Sequence, residues 1–234
     1  MSNSVVADEI ARFGALAAEW WDPRGPMAPL HAMNPLRCSW ATQQIRAVFS
    51  CPVRLLDVGC GAGLVSEAMA KLGHTVLGLD ASADGIAAAE AHAEGQNLPL
   101  SYRVGSTETL IAEGQHFQAI TALEVIEHVS DAAEFVAMLA DLLEPGGVLV
   151  MSTLNRTRRS YLTAILGAEY MLRMLPVGTH EWQKFIPPEE LARLMRHAGL
   201  RPVATAGMSF NPFRSTWYES RDLSVNYLAA ARKD

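Results

Sequence analysis

Leu55-Leu56-Asp57-Val58-Gly59-Cys60-Gly61-Ala62-Gly63 carries an apolar strand directly into a turn with glycine at every second position, and a helical pattern resumes at Leu64. Glycine admits positive φ and close approach of the backbone to a ligand, and the following helix N-terminus adds partial positive charge. The arrangement is that of a nucleotide-binding turn. Its spacing differs from the dinucleotide fingerprint G-x-G-x-x-G, because Leu64 stands where the last glycine would fall. Asp57 ahead of the glycines suits a ligand bearing an ammonium group and not a pyrophosphate. Gly78-Leu79-Asp80 closes the next apolar run, where a carboxylate can accept both hydroxyls of a ribose. Asp80 alone does not distinguish one nucleoside cofactor from another. A glycine triplet by itself is often only a turn; strand, triplet, helix, strand and acid in this order argue for a ligand.

Outward from that turn, apolar runs at 53–58, 75–79, 100–104, 117–123 and 147–152 read as strands. Helical patterns at 64–72, 83–94 and 131–143 lie between them. Alternation of this kind implies right-handed βαβ units and a mostly parallel sheet. Pro187-Pro188-Glu189 opens a helix that ends at Ala198-Gly199, and 200–208 and 224–231 read as two further strands. Upstream, 7–21 and 36–49 have helical spacing, with a Pro- and Gly-rich loop between them. The expected organisation is one domain over 1–234, an N-terminal helical cap at 1–50 and an insertion at 155–186.

The composition narrows the function classes. The 234 residues are half hydrophobic, enough for a sizeable core. A net charge of -6 argues against general nucleic-acid binding, which needs clustered Lys and Arg. Three cysteines without CxxC spacing read as free thiols in a reducing compartment. The N-terminus lacks the features of a secretory signal, and no run reaches the roughly 20 apolar residues of a membrane span. The expected location is the cytoplasm, with a peripheral position at the inner face of the membrane as the alternative.

Glu124, Glu127 and His128 follow the fourth strand, at the end of the sheet where open α/β folds bind ligands. On a helical turn they share one face and form a minimal oxygen-rich set for Mg or another divalent cation. Two other readings stand: an acid-rich turn that only orients the cofactor loop, and a general base, His128 or Glu127, acting on a phenol whose pKa lies near 10. His180, in a loop expected over the site, is a further candidate beside its ordinary structural role. Arg37 is either a surface charge or a planar fork for a cofactor carboxylate. Asn155-Arg156-Thr157-Arg158-Arg159 precedes an apolar stretch at 160–175. That stretch reads either as a buried helix or as an interfacial helix whose arginines meet anionic headgroups.

The glycine turn resembles the D/E-x-G-x-G-x-G motif of class I S-adenosylmethionine-dependent methyltransferases. The resemblance implies a Rossmann-like α/β fold: a seven-stranded, mostly parallel sheet with helices on both faces and its last strand antiparallel. FGALAAEWWDP, PLHAMNPLR, LDVGCGAG, EVIEHV, STLNRT and GAEYMLRMLPVGTHEWQKF are, in this order and over nearly the whole chain, similar to the ubiquinone-biosynthesis O-methyltransferase family. What this implies is methyl transfer from S-adenosyl-L-methionine to phenolic hydroxyls of polyprenylated intermediates, a 2-polyprenyl-6-hydroxyphenol and 3-demethylubiquinol. Arg37, Gly59, Asp80 and Leu123 fall on the family's cofactor positions, with Asp57, Gly61 and Gly63 completing the loop. Leu123 stands where members often have Met, and Ala62 where many have Gly. The acid that often meets adenine after the third strand has no clear counterpart in Val104-Gly105-Ser106-Thr107-Glu108. Association with the membrane surface and with other ubiquinone-biosynthesis proteins is implied as well. The rival readings are another O- or C-methyltransferase, an NAD-dependent oxidoreductase, and a non-catalytic assembly subunit on the same fold.

Overall fold

A computed structural model describes residues 19–161 and 182–234. Eight strands form one sheet: β1 (Arg54–Val58), β2 (Thr75–Asp80), β3 (Leu100–Val104), β4 (Phe117–Leu123), β5 (Leu143–Leu154), β6 (Leu200–Asn211), β7 (Thr216–Ser220) and β8 (Asn226–Lys233). Their order is β3-β2-β1-β4-β5-β8-β6-β7. The first five are parallel, and β8 runs antiparallel between β5 and β6. The expected mostly parallel sheet with a late antiparallel strand is therefore present. The expected count of seven is one short, because β7 extends the edge by pairing antiparallel with β6. β7 leaves the sequence pattern weak because an edge strand exposed over most of its length need not alternate.

Period-two alternation assigns each strand residue to a face. Leu55, Val76, Val148, Val150, Leu228 and Ala230 pack with Trp40 and Ile45 of α1 (Ala28–Arg46) and with Val65 and Met69 of α2 (Leu64–Lys71). Leu56, Val58, Leu149, Met151, Tyr227 and Ala229 face α5 (Ala132–Leu142) and α6 (Pro188–His197), through Phe135, Leu139, Leu191 and Met195. Each buried Val, Leu, Ile, Phe or Met among them contributes about 1.5–3 kcal/mol. α3 (Ala83–Ala93) and α4 (Thr107–Ala112) complete the βα units. Two caps fix where helices begin. Asp131 accepts from the N–H groups of Ala133 and Glu134 at 2.8 and 3.0 Å, and Ser82 from Gly85 at 3.1 Å.

Several boundaries differ from the sequence reading, most of all at α1 and β5. α1 begins at Ala28, ahead of the expected 36, because Pro29 occupies a first-turn position where its missing N–H is not needed. Pro35 inside it removes one ladder bond, which the burial of Met33, Trp40, Ala41 and Ile45 offsets. α5 ends at Leu142, and β5 starts directly at Leu143, with a register shift on the β4 side between Phe117 and Ala119. All but the last three residues of the helix expected at 7–21, and most of the insertion, lie outside the described residues. Among the described residues no helix is long and apolar enough to cross a membrane.

Candidate active site

Gly59, Gly61 and Gly63 all adopt left-handed φ, at 68°, 53° and 89°, a conformation that costs any other residue strain. The N–H groups of Gly59 and Cys60 donate to the Leu79 carbonyl at 2.8 and 3.2 Å, so the loop is stitched to β2. A Cβ on Gly61 would lie 2.5 Å from the ring of Trp20, and one on Gly63 would collide with the Tyr102 hydroxyl. Trp21 adds a second tether by donating from Nε1 to the Ala62 carbonyl at 2.9 Å. Its ring stacks on His92 at 3.4 Å. The adjacent Trp pair thus holds the glycine loop.

Asp80 ends β2 with Oδ2 accepting from Gly61 N–H at 2.7 Å and Oδ1 from Ser82 N–H at 2.8 Å. Burial raises its pKa, and the backbone N–H groups oppose the rise. Each oxygen keeps one lone pair for a ribose hydroxyl. Asp57 is buried beneath the loop. It accepts from Ser66 Oγ at 2.6 Å and Thr121 Oγ1 at 2.7 Å, tying β1 to α2 and β4. Burial pushes its pKa up to about 6, against the two hydroxyls and the Arg37 charge. Half of its lone-pair capacity remains for an ammonium group.

Arg37 is 3% exposed, which overturns its reading as a surface charge. Its Nη2 donates to Asn34 Oδ1 at 3.3 Å, while its Nε is buried without a partner. Asn34 donates in turn to the Leu64 carbonyl at 2.9 Å, where α2 begins. A buried guanidinium with unspent donors beside a nucleoside loop fits a ligand carboxylate. Asn34 was not singled out by sequence, although its three-residue spacing from Arg37 on a helix is the signal that would have found it. Leu123 ends β4, buried at the carboxyl end of the sheet, and Val125 just after it packs on Gly59.

Glu124 and Glu127 are not on one helical face. Glu124 has a left-handed φ of 58°, and only Ile126–His128 form a single 3-10 turn. Ser152 Oγ donates to Glu124 Oε1 at 2.7 Å, and Thr153 Oγ1 to Glu127 Oε2 at 2.8 Å. Successive residues of β5 point to opposite faces, so the two carboxylates are anchored from opposite sides of the strand. Among the described residues no group of three His, Cys, Asp or Glu is gathered as a metal-binding set. Glu127 is buried with Oε1 unpartnered. Burial, with the Glu124 charge behind it, raises its pKa to about 7, and His128 and Thr153 lower it. His128 is half-buried, and His180 lies outside the described residues.

Arg156 and Arg159 are committed to this chain. Arg156 meets Glu190 at 2.7 Å, and Arg159 meets Asp222 at 2.6 Å. The expected role of these arginines at lipid headgroups therefore competes with ion pairs already formed.

A family model described as a methyltransferase domain matches residues 5–205. The magnesium protoporphyrin IX methyltransferase of Synechocystis PCC 6803, solved with bound SAH, superposes with a TM-score of 0.68. It is 16% identical, over 97% of this chain and 94% of its own. A possible histamine N-methyltransferase of Thermotoga maritima, also 16% identical, superposes at 0.65 over 98% of this chain and all of its own. The chain is thus a class I methyltransferase. Sequence similarity narrows the class. A ubiquinone biosynthesis O-methyltransferase of Dinoroseobacter shibae is 46% identical over 98% of this chain and 97% of its own. One from Cereibacter sphaeroides is 48% identical over the same shares. The chain belongs to the ubiquinone biosynthesis O-methyltransferase family.

Proposed function

We propose that the protein methylates phenolic hydroxyls of polyprenylated ubiquinone precursors, 2-polyprenyl-6-hydroxyphenol and 3-demethylubiquinol, with S-adenosylmethionine as donor. The observation that carries the reading is the buried, half-spent Arg37 fork beside a glycine loop whose backbone engages Asp80. This pair suits a ligand that is at once a nucleoside and an amino acid. The cofactor supplies the methyl group on a sulfonium. Arg37 binds its carboxylate, Asp80 accepts the ribose hydroxyls, Asp57 meets the ammonium and Leu123 offers an apolar wall to adenine.

Methyl transfer would join the phenol oxygen to the methyl carbon while the carbon–sulfur electron pair goes to sulfur; this chain's part is to orient the phenol and take its proton. A proton must depart from the phenol. Glu127 Oε1 is the acceptor that the geometry favours, since it has no partner and its pKa lies at about 7. His128 and His180 are the alternative bases. Positioning in a water-poor site supplies much of the remaining acceleration.

A second reading places Mg at Glu124 and Glu127. It is favoured by the unpartnered Glu127 oxygen and by the Glu124 charge, which adds to burial in raising the Glu127 pKa. Carboxylates are the hard oxygen donors such a cation takes, and it would lower the phenol pKa, but these two are anchored from opposite sides of β5 and His128 does not complete a three-residue set with them. For the membrane, the tip of the β6–β7 hairpin offers an apolar contact for a peripheral position. Phe213 is 98% exposed there, at the same end of the sheet as the site. The test is labelled methyl transfer to a short-tailed demethylubiquinol, with and without EDTA. Transfer supports the reading and its absence defeats it; full activity after metal stripping defeats the Mg reading alone.

A further inference from the structure

Arg37 Nε and Glu127 Oε1 are buried without partners inside the site described above. A third such atom, Asn226 Oδ1, has no place in that account. Asn226 is 5% exposed and is the first residue of β8, paired with Leu154 near the end of β5. Because β8 is antiparallel, its beginning lies at the carboxyl end of the parallel strands, beyond which open α/β sheets bind ligands.

The side chain shares a face with Leu228 and Ala230, the face that α1 covers. Its Nδ2 donates to Met33 Sδ at 3.6 Å, a weak acceptor. Reversing the amide would aim the oxygen at a thioether that has no proton to give, so Oδ1 lacks a protein donor in either orientation. Arg37 lies one helical turn beyond Met33. Across the sheet, Ser152 pairs with Leu228, and it holds the Glu124 carboxylate diagonally opposite Asn226. The orphaned carbonyl therefore lies on the same sheet face as the Glu124 anchor, near the helical turn that carries the arginine assigned to the cofactor. A buried carbonyl without a donor is costly, and is retained where a ligand brings the donor.

We propose that Asn226 is a substrate-binding residue whose Oδ1 accepts a hydrogen bond from the hydroxyl ortho to the one being methylated. The proposal rests on the acceptor reading above. Both acceptors carry such a neighbour, a catechol hydroxyl in one and a quinol hydroxyl in the other. The amide would select the ring orientation that presents the correct oxygen to the methyl group.

The test compares wild type with Asn226→Leu and Asn226→Asp on two acceptors: a short-tailed ortho-diol, and the same ring lacking the neighbouring hydroxyl. Asn226→Leu should raise the diol KM about tenfold. It should leave the mono-hydroxy KM and the S-adenosylmethionine Kd unchanged. Asn226→Asp, which also loses the Met33 contact but keeps an acceptor oxygen, should restore most of the diol affinity. Asn226→Ala replaces the leucine variant if that protein does not fold. An equal effect on both acceptors, a parallel loss of S-adenosylmethionine affinity, or no change with the diol overturns the proposal. Wild type that transfers no methyl to either ring defeats the acceptor reading and this assignment with it.

Discussion

Replacing Glu127 with Gln should stabilise the protein at alkaline pH and leave it unchanged in acid. The carboxyl is buried, with one oxygen satisfied by Thr153 and the other by nothing, so its charged form is disfavoured in the fold. Its pKa rises from 4.5 to about 7. The folded state therefore holds this proton to higher pH than the unfolded chain does. Stability is fully present below pH 4.5, falls as pH rises from there through 7, and is flat above. At roughly 1.4 kcal/mol per pH unit, the interval corresponds to about 3 kcal/mol. Gln keeps an acceptor for Thr153 and carries no charge. Urea unfolding should accordingly show Glu127→Gln more stable than wild type by about 3 kcal/mol at pH 8. The two proteins should be nearly equal at pH 4.5. The same difference at both pH values, or a variant less stable at pH 8, would refute the reasoning. Methyl transfer by this variant should meanwhile fall about a hundredfold or more if the carboxylate takes the phenolic proton.

Two further outcomes follow from the cofactor side. Arg37→Leu should weaken S-adenosylmethionine binding by calorimetry about thirtyfold or more, the loss of charge-assisted hydrogen bonds to a carboxylate, while methylthioadenosine, which lacks the amino-acid tail, should bind both proteins alike. Gly61→Ala should destabilise the fold by about 1–3 kcal/mol, since it strains a residue at positive φ and brings a Cβ to 2.5 Å from the Trp20 ring; a melting temperature within a degree of wild type would contradict this.

The parallel core was legible because buried strands and amphipathic helices impose periodic apolar patterns, as at 53–58 and 131–143. The glycine loop was legible because left-handed φ leaves few alternatives to glycine. What escaped the sequence is what depends on neighbours distant in the chain. Nothing near Glu124 announces that Ser152 will hold it with a left-handed backbone, or that Thr153 will draw Glu127 to the other side. α1 starts eight residues before the pattern suggested, which Pro35 concealed, and this puts Asn34 on the helix one turn from the buried Arg37. Trp21 looks like ordinary packing until its indole is found on the Ala62 carbonyl. Asn226 gave no signal at all: a lone Asn at the start of an apolar strand acquires meaning only when its carbonyl proves buried and unmatched.

The central claim is transfer of a methyl group to a phenolic oxygen, and a donor with a deuterated methyl tests it most directly. Incubated with a short-tailed demethylubiquinol, the protein should give a product whose label lies in a methoxy group, as read by mass spectrometry and carbon-13 NMR. Label on a ring carbon, or an unlabelled acceptor recovered intact, would contradict the account.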